Sequence, residues 1–404
     1  MYIEREITGT LKRLASSFPI ILVTGARQVG KSTLLEHVTA IDRITFDDTM
    51  RLSDAKEDAK TFLHMAGTPV IFDEVQKASF LFPFLKQAAD EGKRSGMYLL
   101  TGSQQFQLMR HVSESLSGRV GILNLPPLSL REVRGMKGQI PFIPTQEYIL
   151  SRKYIAGCKP DEIWTHIQHG LYPSVVTGKQ RYDDFYASYV SSYLERDVRN
   201  LTQVGDLLQF QKFMQVAAAR TGQLVNYRNM AQNVGISEPT AKTWLSILVS
   251  SGLVFLLPAY SKNVTKRIVK TPKLYFMDTG LACYLTRWTS PEVLEKGAMA
   301  GAMFETFVIS ELRKSWMNAG KEPPFSFYRD TDQHEVDLLI EDNGRLFPVE
   351  IKKTALLNGN EAQGFRFLAQ GITGFAVAPG TIICNAETIG IPSKGVFALP
   401  VSSI

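Results

Sequence analysis

The chain has 404 residues, 44% of them hydrophobic and 21% charged, and 45 basic against 39 acidic side chains give a net charge of +6. This composition excludes a mainly disordered chain, because there is enough apolar surface to offset chain entropy. The length predicts two or three domains. Apolar runs are only strand-sized, and Cys158, Cys283 and Cys384 are far apart. We therefore expect a cytoplasmic protein without membrane helix or disulfide framework, with a mild preference for anionic partners.

The first motif follows a predicted buried strand over residues 19–24, PIILVT, and precedes a helical LLEHV. Its spacing, G-x-x-x-x-G-K-S, is typical of a loop whose backbone N–H groups and helix N-terminus face phosphate oxygens. We expect Lys31 to act on the outer phosphates and Ser32 to ligate Mg²⁺. The predicted nucleotide-binding residues are Gly25, Ala26, Arg27, Gln28, Val29, Gly30, Lys31, Ser32 and Thr33.

The second motif is TPVIFDE, residues 68–74, an apolar strand that ends in two acids. Asp73 stands at the carboxyl end of this strand, where it is expected to hold nucleotide-bound Mg²⁺. Glu74 is expected to orient and polarise the attacking water. The alternative is an acidic pair that caps the next helix.

Two further candidates lie between residues 97 and 125. The strand MYLLT ends before Ser103 and Gln104, and we predict that Ser103, with Gln104 as second choice, senses the γ-phosphate; a plain β-turn is the alternative. Arg119 precedes an apolar run and is predicted to reach the phosphate of a neighbouring subunit, unless it is a surface arginine at a strand edge. Asp47 and Asp48 either border the nucleotide or are solvated turn residues.

The middle of the chain is helical and aromatic. Aromatic residues at helical spacing over residues 182–201 predict a packed core helix. Residues 208–257 read as helix, short extended piece, helix after Asn226, turn at Gly235, helix after Ser237 and strand, which is the winged-helix order. Thr240, Lys242 and Thr243 then lie on a recognition helix, and Lys262, Lys266, Arg267, Lys270 and Lys273 follow it. This predicts nucleic-acid contact; a protein partner is the alternative.

The last third carries a pattern of paired carboxylates and a lysine. A helix over residues 301–314 contains Glu305, a strand over residues 334–340 contains Asp337, and a strand over residues 346–352 presents Glu350 and Lys352 on one face. Asp337, Glu350 and Glu305 can ligate Mg²⁺ against a phosphodiester, and Lys352 can stabilise charge or activate water. A structural remnant, in which the acids only pair with Lys352, is the alternative.

Ten segments together resemble one family, the prokaryotic AAA-type P-loop ATPases that carry a C-terminal domain of unknown function numbered 4143. These segments are GARQVGKST, VIFDEVQK, LLTGS, SLSGR, YLERDV, GISEPTAKTWLSILVSSG, KRIVKTPKLYFMDTGL, GAMFETFV, EVDLLI and VEIKK. The resemblance implies an α/β P-loop AAA+ core with helices on both faces of a parallel sheet, a winged helix and a PD-(D/E)xK restriction-endonuclease-like end. It also implies ATP and Mg²⁺ binding, with Glu74 as the hydrolytic base.

The expected division is 1–135 for the ATPase core, 136–205 for a helical lid or linker, 206–290 for the winged helix and 291–404 for the nuclease-like part. The leading hypothesis is a homo-oligomeric ATPase that acts on nucleic acid, with DNA favoured and cleavage undecided. The alternative is a nucleotide-switched ATPase that binds a protein partner and whose nuclease-like part is inactive. Asp278 is assigned no role beyond a turn or cap.

Overall fold

The computed structural model describes residues 1–102, 109, 112, 114–136, 141–152, 158–194, 198, 207–261, 270–357, 360–372 and 374–404. Ser103 and Gln104, and Lys262, Lys266 and Arg267, lie outside these residues.

The N-terminal part is built on a five-stranded parallel sheet. Its strands are β1 (Ile20–Thr24), β2 (Arg43–Thr45), β3 (Val70–Asp73), β4 (Tyr98–Thr101) and β5 (Val120–Asn124), in the order β2-β3-β4-β1-β5. Alternate residues of β1 enter two different cores, Ile21 and Val23 on one face and Ile20 and Leu22 on the other. Because both faces are covered, the strands are apolar throughout. The predicted α/β class with a parallel sheet is confirmed.

Helices cover this sheet on both faces. They are α1 (Thr8–Ala15), α2 (Lys31–Val38), α3 (Thr49–Glu57), α4 (Ala59–Ala66), α5 (Phe82–Gly92) and α6 (Leu130–Val133), with a 3₁₀ helix at Val75–Leu81. Asp48 accepts hydrogen bonds from the backbone N–H groups of Met50 and Arg51, so it caps α3, and Asp47 pairs with Lys77.

The middle part begins with α7 (Gln146–Ser151), α8 (Pro160–His169), α9 (Pro173–Val176) and α10 (Tyr182–Tyr193). It continues with α11 (Leu207–Ala219), β6 (Gln223–Leu224), α12 (Tyr227–Val234), α13 (Glu238–Ser250), β7 (Val254–Leu257), β8 (Lys273–Phe276), α14 (Thr279–Leu285) and α15 (Pro291–Lys296). The three strands form an antiparallel sheet in the order β6-β8-β7. Asn226 and Ser237 cap α12 and α13 as predicted. The assignment of these elements to a winged helix stays a prediction.

The C-terminal part packs the long helix α16 (Ala300–Asn318) and α17 (Gln363–Gly371) with a mixed sheet. The strands are β9 (Phe325–Arg329), β10 (Glu335–Asp342), β11 (Arg345–Lys352), β12 (Ala376–Val377), β13 (Thr381–Cys384), β14 (Gly390–Ser393) and β15 (Val396–Pro400). Their order is β14-β15-β13-β11-β10-β9, and β12 pairs with β11. The predicted β10–β11 hairpin is present, with Leu338 opposite Val349.

The N-terminal and C-terminal parts share buried polar contacts. Glu311 of α16 accepts a hydrogen bond from the backbone N–H of Leu130 at 2.8 Å, and Lys314 donates to the carbonyl of Leu128 at 2.9 Å. Thr10 of α1 donates to the carbonyl of Asn318. Within the described residues, no helix has both the length and the apolar character that crossing a membrane requires.

Candidate functional sites

The loop after β1 depends on two glycines. Gly25 has φ +145°, and a Cβ there would lie 2.3 Å from the carbonyl oxygen of Leu125. Gly30 has φ +93° and ψ +31° directly before α2, a left-handed conformation that glycine adopts without steric cost. Both glycines of the predicted motif are therefore required by the backbone geometry of the loop.

The polar side chains of the two predicted motifs meet at the carboxyl end of the sheet. The Oγ of Ser32 donates to Asp73 Oδ1 at 2.8 Å, and the Nζ of Lys31 donates to the carbonyls of Ala26 and Gly25 at 2.9 and 3.2 Å. Lys31 and Ser32 begin α2, whereas Asp73 ends β3. The hydroxyl and carboxylate oxygens are hard donors of the kind that Mg²⁺ prefers, so this pair fits the predicted ion.

Sequence reasoning missed two partners of Asp73. Thr101, at the end of β4, donates to Asp73 Oδ1, and Nη2 of Arg43, at the start of β2, lies 3.1 Å from Oδ2. Both strands flank β3. The signal that locates them is the strand order. Thr101 ends β4 at the same carboxyl edge of the sheet as Asp73, whereas Arg43 contacts Asp73 from the start of the other neighbouring strand, β2.

Glu74 follows β3 in an unusual conformation. Its φ is +56° and its ψ is +41°, and Gln76 donates to its Oε2. A non-glycine residue in the left-handed region is uncommon, and such strain often accompanies functional positions. Glu74 also lines the cavity above the loop.

That cavity measures about 960 Å³ and lies between the loop, the N-terminal segment and the α9–α10 region. Its walls include Tyr2, His37, Pro173, Thr177 and Ser188. The rings of Tyr2 and His37 are stacked, with centroids 3.8 Å apart. This volume is at the upper end of the range for small-molecule sites. The cavity is therefore large enough to hold a nucleotide.

Arg5 ties the loop to the rest of the core. Its guanidinium donates to the carbonyls of Val29 and Pro126 at 2.8 and 2.7 Å and to Glu132 at 2.9 Å. The residue is only 4% exposed. No motif identified Arg5 from sequence, because its role depends on contacts with residues more than 20 positions away.

Arg119 lies at the other edge of the sheet. It directly precedes β5, whereas the loop follows the carboxyl end of the parallel strand β1. Its Nε donates to Asp90 Oδ1 at 2.6 Å, and Asp90 holds the pKa of this guanidinium above its usual value. The structure thus does not bring Arg119 to the loop of its own chain, and a role toward a neighbouring subunit stays a prediction.

The second group of predicted residues meets in the C-terminal part. The backbone N–H of Ile351 donates to Asp337 Oδ2 at 2.8 Å, and Lys352 donates to Glu350 Oε1 at 2.6 Å. The pairing of β9 with β10 is irregular between Val336 and Leu339, and such bulges re-aim side chains. Glu305, from α16, accepts a hydrogen bond from the hydroxyl of Tyr275.

Burial and mutual repulsion shift these acids. Burial, with the charge of Asp337 added, raises the pKa of Glu350 to about 8 and that of Glu305 to about 7. Burial also raises the pKa of Asp337. Glu350 Oε2 is buried and has no hydrogen-bond partner among the described residues. Carboxylate oxygens are the ligands that a hard divalent cation prefers, and a bound cation would relieve the repulsion. Among the described residues, the three ligand atoms that already lie within 4.8 Å of one another belong to a neighbouring group, Asp330, Asp332 and His334.

Sequence reasoning placed Lys273 in the basic segment after the recognition helix, but the structure places it here. Its Nζ lies 2.5 Å from Glu335 Oε1 and 3.4 Å from Glu305 Oε1. Burial lowers the pKa of Lys273, but the carboxylates of Glu305, Asp337 and Glu335 outweigh this effect and raise it to about 12.

Asp278 has a larger role than the predicted cap. It caps α14 by accepting from the backbone N–H of Leu281 at 3.0 Å, and it also accepts from the backbone N–H of Leu171 and the hydroxyl of Tyr186, at 2.8 and 2.6 Å. Asp278 thereby joins α10, which borders the nucleotide-sized cavity, to the segment after β8.

Family models match three segments of the chain. An AAA domain matches residues 17–134, a domain of unknown function, DUF8612, matches residues 160–292, and a second domain of unknown function, DUF4143, matches residues 300–404. The chain carries an AAA-type P-loop ATPase domain followed by a C-terminal DUF4143 domain. The resemblance drawn from the sequence is confirmed.

Two curated relatives are the uncharacterised proteins Mb2031c of Mycobacterium bovis and Rv2008c of Mycobacterium tuberculosis. Each is 29% identical over 362 residues, which cover 88% of this chain and 75% of the relative. Among solved structures, the Walker-type ATPase PABY2304 of Pyrococcus abyssi aligns with 70% of this chain and 96% of its own, with 15% identity and a TM-score of 0.43.

Proposed function

We propose that the protein binds ATP with Mg²⁺ at the loop of residues 25–33 and hydrolyses it. The observation that carries this proposal is the contact between Ser32 and Asp73 beside the buried Lys31, with Glu74 at the same cavity. Mg²⁺, when bound, would neutralise charge that develops on the phosphates. In this proposal Ser32 and Asp73 hold the ion, Lys31 binds the outer phosphates, and Glu74 takes a proton from the attacking water.

Glu74→Gln tests the proposal, because it keeps the shape of the side chain and removes the base. We expect ATP turnover to fall by about 10²- to 10⁴-fold, while ATP affinity, measured by calorimetry, stays within a few fold. Lys31→Ala is expected to weaken binding as well. The exposed Glu57, at the end of α3, provides the matched control Glu57→Gln, and wild-type turnover in Glu74→Gln contradicts the proposal.

The same proposal includes a homo-oligomer. Arg119 lies at the sheet edge opposite the loop of its own chain, so a contact with the nucleotide of a neighbouring subunit is favoured over one within the chain.

The division of the chain into domains after residues 135, 205 and 290 is part of this proposal as well.

A second function is proposed for the DUF4143 part: cleavage of nucleic-acid phosphodiesters with Mg²⁺ or Mn²⁺. The unpartnered Oε2 of Glu350 beside Asp337 and Glu305 favours it. A divalent cation there would polarise the scissile phosphate, and Lys352 would stabilise negative charge on it. Lys242 and Thr243 are exposed on α13, which supports nucleic acid, with DNA favoured, as the partner.

Asp337→Asn tests the second function. We expect cleavage of DNA or RNA in Mn²⁺ to be lost in this variant and kept in the control Glu387→Gln, at an exposed residue of the same part of the chain. If wild-type protein cleaves neither and binds neither in a salt-dependent way, the alternative is favoured, in which the ATPase switches the binding of a protein partner and the DUF4143 part is catalytically inactive.

A further inference from the structure

The acidic cluster of the C-terminal part contains a cation that comes from outside it. Four carboxylates lie in this cluster, Glu305, Glu335, Asp337 and Glu350, and three cations accompany them, Lys352 from β11, Arg329 from β9 and Lys273 from β8. With every group ionised the cluster carries four negative and three positive charges, a formal charge of −1. Of these three cations, Lys273 is the one that comes from outside the C-terminal part.

Backbone pairing holds Lys273 in this position. The backbone N–H of Tyr260, just beyond β7, donates to the carbonyl of Phe327 in β9 at 2.7 Å, and the N–H of Phe327 donates to the carbonyl of Pro258 at 3.0 Å. Lys273 is opposite Leu257 in the β7–β8 pair. The three-stranded sheet is thus hydrogen-bonded to the edge of the C-terminal sheet, and Lys273 is carried to the acids by this junction.

The side chain itself is enclosed. The side chain of Lys273 is 7% exposed, whereas the side chain of Lys352 is 35% exposed. The Nζ of Lys273 lies 5.4 Å from the centre of the Phe327 ring. A lysine held this firmly behaves as a fixed positive charge beside Glu305, and Glu305 is one of the proposed metal ligands.

We infer that Lys273 is a built-in counter-ion that competes with a divalent cation for Glu305 and so keeps the metal affinity of the DUF4143 site low. The inference rests on the second proposed function, because it assumes that the cluster binds metal. A divalent cation near Glu305 is repelled by the ammonium group of Lys273 and must share the carboxylate of Glu305 with that group. The winged-helix part thereby restrains the nuclease-like site through one side chain of β8.

Lys273→Met tests the inference, since methionine keeps an unbranched stem and removes the charge. Mn²⁺ binding is measured by calorimetry on nucleotide-free protein at about pH 8.5, where carboxylates are available for metal. We expect Lys273→Met to bind Mn²⁺ at least about tenfold more tightly than wild type, and Lys273→Arg to stay close to wild type. Lys321→Met, at an exposed lysine after α16, is the matched control.

Asp337→Asn separates the two proposals. If Asp337→Asn abolishes the Mn²⁺ binding measured for wild type but Lys273→Met does not tighten that binding, the metal site is supported and the inferred competition by Lys273 is wrong. If Asp337→Asn changes nothing, the site and the inference both fail. Should Lys273→Met be unfolded without metal, the inference predicts that Mn²⁺ restores the circular dichroism of the folded protein, and a lack of recovery overturns it.

Discussion

At the P-loop, Asp73 has partners on both carboxylate oxygens, Ser32 and Thr101 on Oδ1 and Arg43 on Oδ2. In the DUF4143 cluster, Glu350 has Lys352 on Oε1, whereas its buried Oε2 has no hydrogen-bond partner among the described residues. The first carboxylate is fixed by neutral and cationic donors from three elements. The second shares two lysines with three other acids.

The difference shows that a carboxylate on a strand, at a proposed metal site, can be prepared in two ways. At the P-loop the protein supplies the counter-charges, so the site is organised before any ligand binds. In the acidic cluster the protein supplies fewer counter-charges than carboxylates, and burial raises the pKa of Glu350 and Glu305. A bound proton or cation would supply the missing positive charge. Neutralising a charge should therefore have opposite effects on stability at the two sites.

The larger effect is expected at Arg5. Arg5→Met removes the hydrogen bonds to Val29 and Pro126 and leaves Glu132 buried without its ion-pair partner. We expect the free energy of unfolding to fall by about 3 kcal/mol, since an uncompensated buried charge is costly. Urea unfolding followed by tryptophan fluorescence measures this loss.

The matched control for Arg5 is Arg13→Met, because Arg13 lies on the exposed side of α1. Its stability is expected to stay within about 0.5 kcal/mol of wild type. Equal stability of the two variants would mean that the charge network beside the loop does not hold the core together, and the contrast between the sites would disappear.

Helix α16 connects the two sites. Glu305 in its first turns belongs to the acidic cluster, whereas Glu311 and Lys314 bind the backbone of Leu130 and Leu128, and Leu128 lines the nucleotide-sized cavity. Glu311 lies six positions after Glu305 in the helix, a rise of about 9 Å. The ATPase and DUF4143 parts therefore share one rigid element, which no local sequence pattern reveals.

Local signals in the sequence predicted much of this structure. The strand before the loop, the caps at Asn226 and Ser237 and the hairpin that carries Asp337 and Glu350 all depend on residues close in sequence. The sequence did not predict the residues that complete the sites from elsewhere. Arg43 contacts Asp73 because β2 lies beside β3. Lys273 is brought to Glu305 by the backbone hydrogen bonds between residues 258–260, just beyond β7, and Phe327 of β9, so both depend on tertiary contacts.

The smaller effect, of opposite sign, is expected at Glu350. Burial and Asp337 raise its pKa to about 8 from an ordinary value of 4.5, so the folded protein binds this proton more tightly than the unfolded chain. Its contribution to stability is complete below about pH 4.5 and is lost as the pH rises through 8.

Glu350→Gln keeps an acceptor for Lys352 and carries no charge, so it should flatten this decline. At about pH 8.5 we expect the variant to be more stable than wild type by about 1–2 kcal/mol, and near pH 5 to be no more stable. Urea unfolding across this pH range, with the exposed Glu387→Gln as control, measures the slope. An unchanged slope in Glu350→Gln would show that Glu350 is not under the electrostatic stress that separates this cluster from the P-loop.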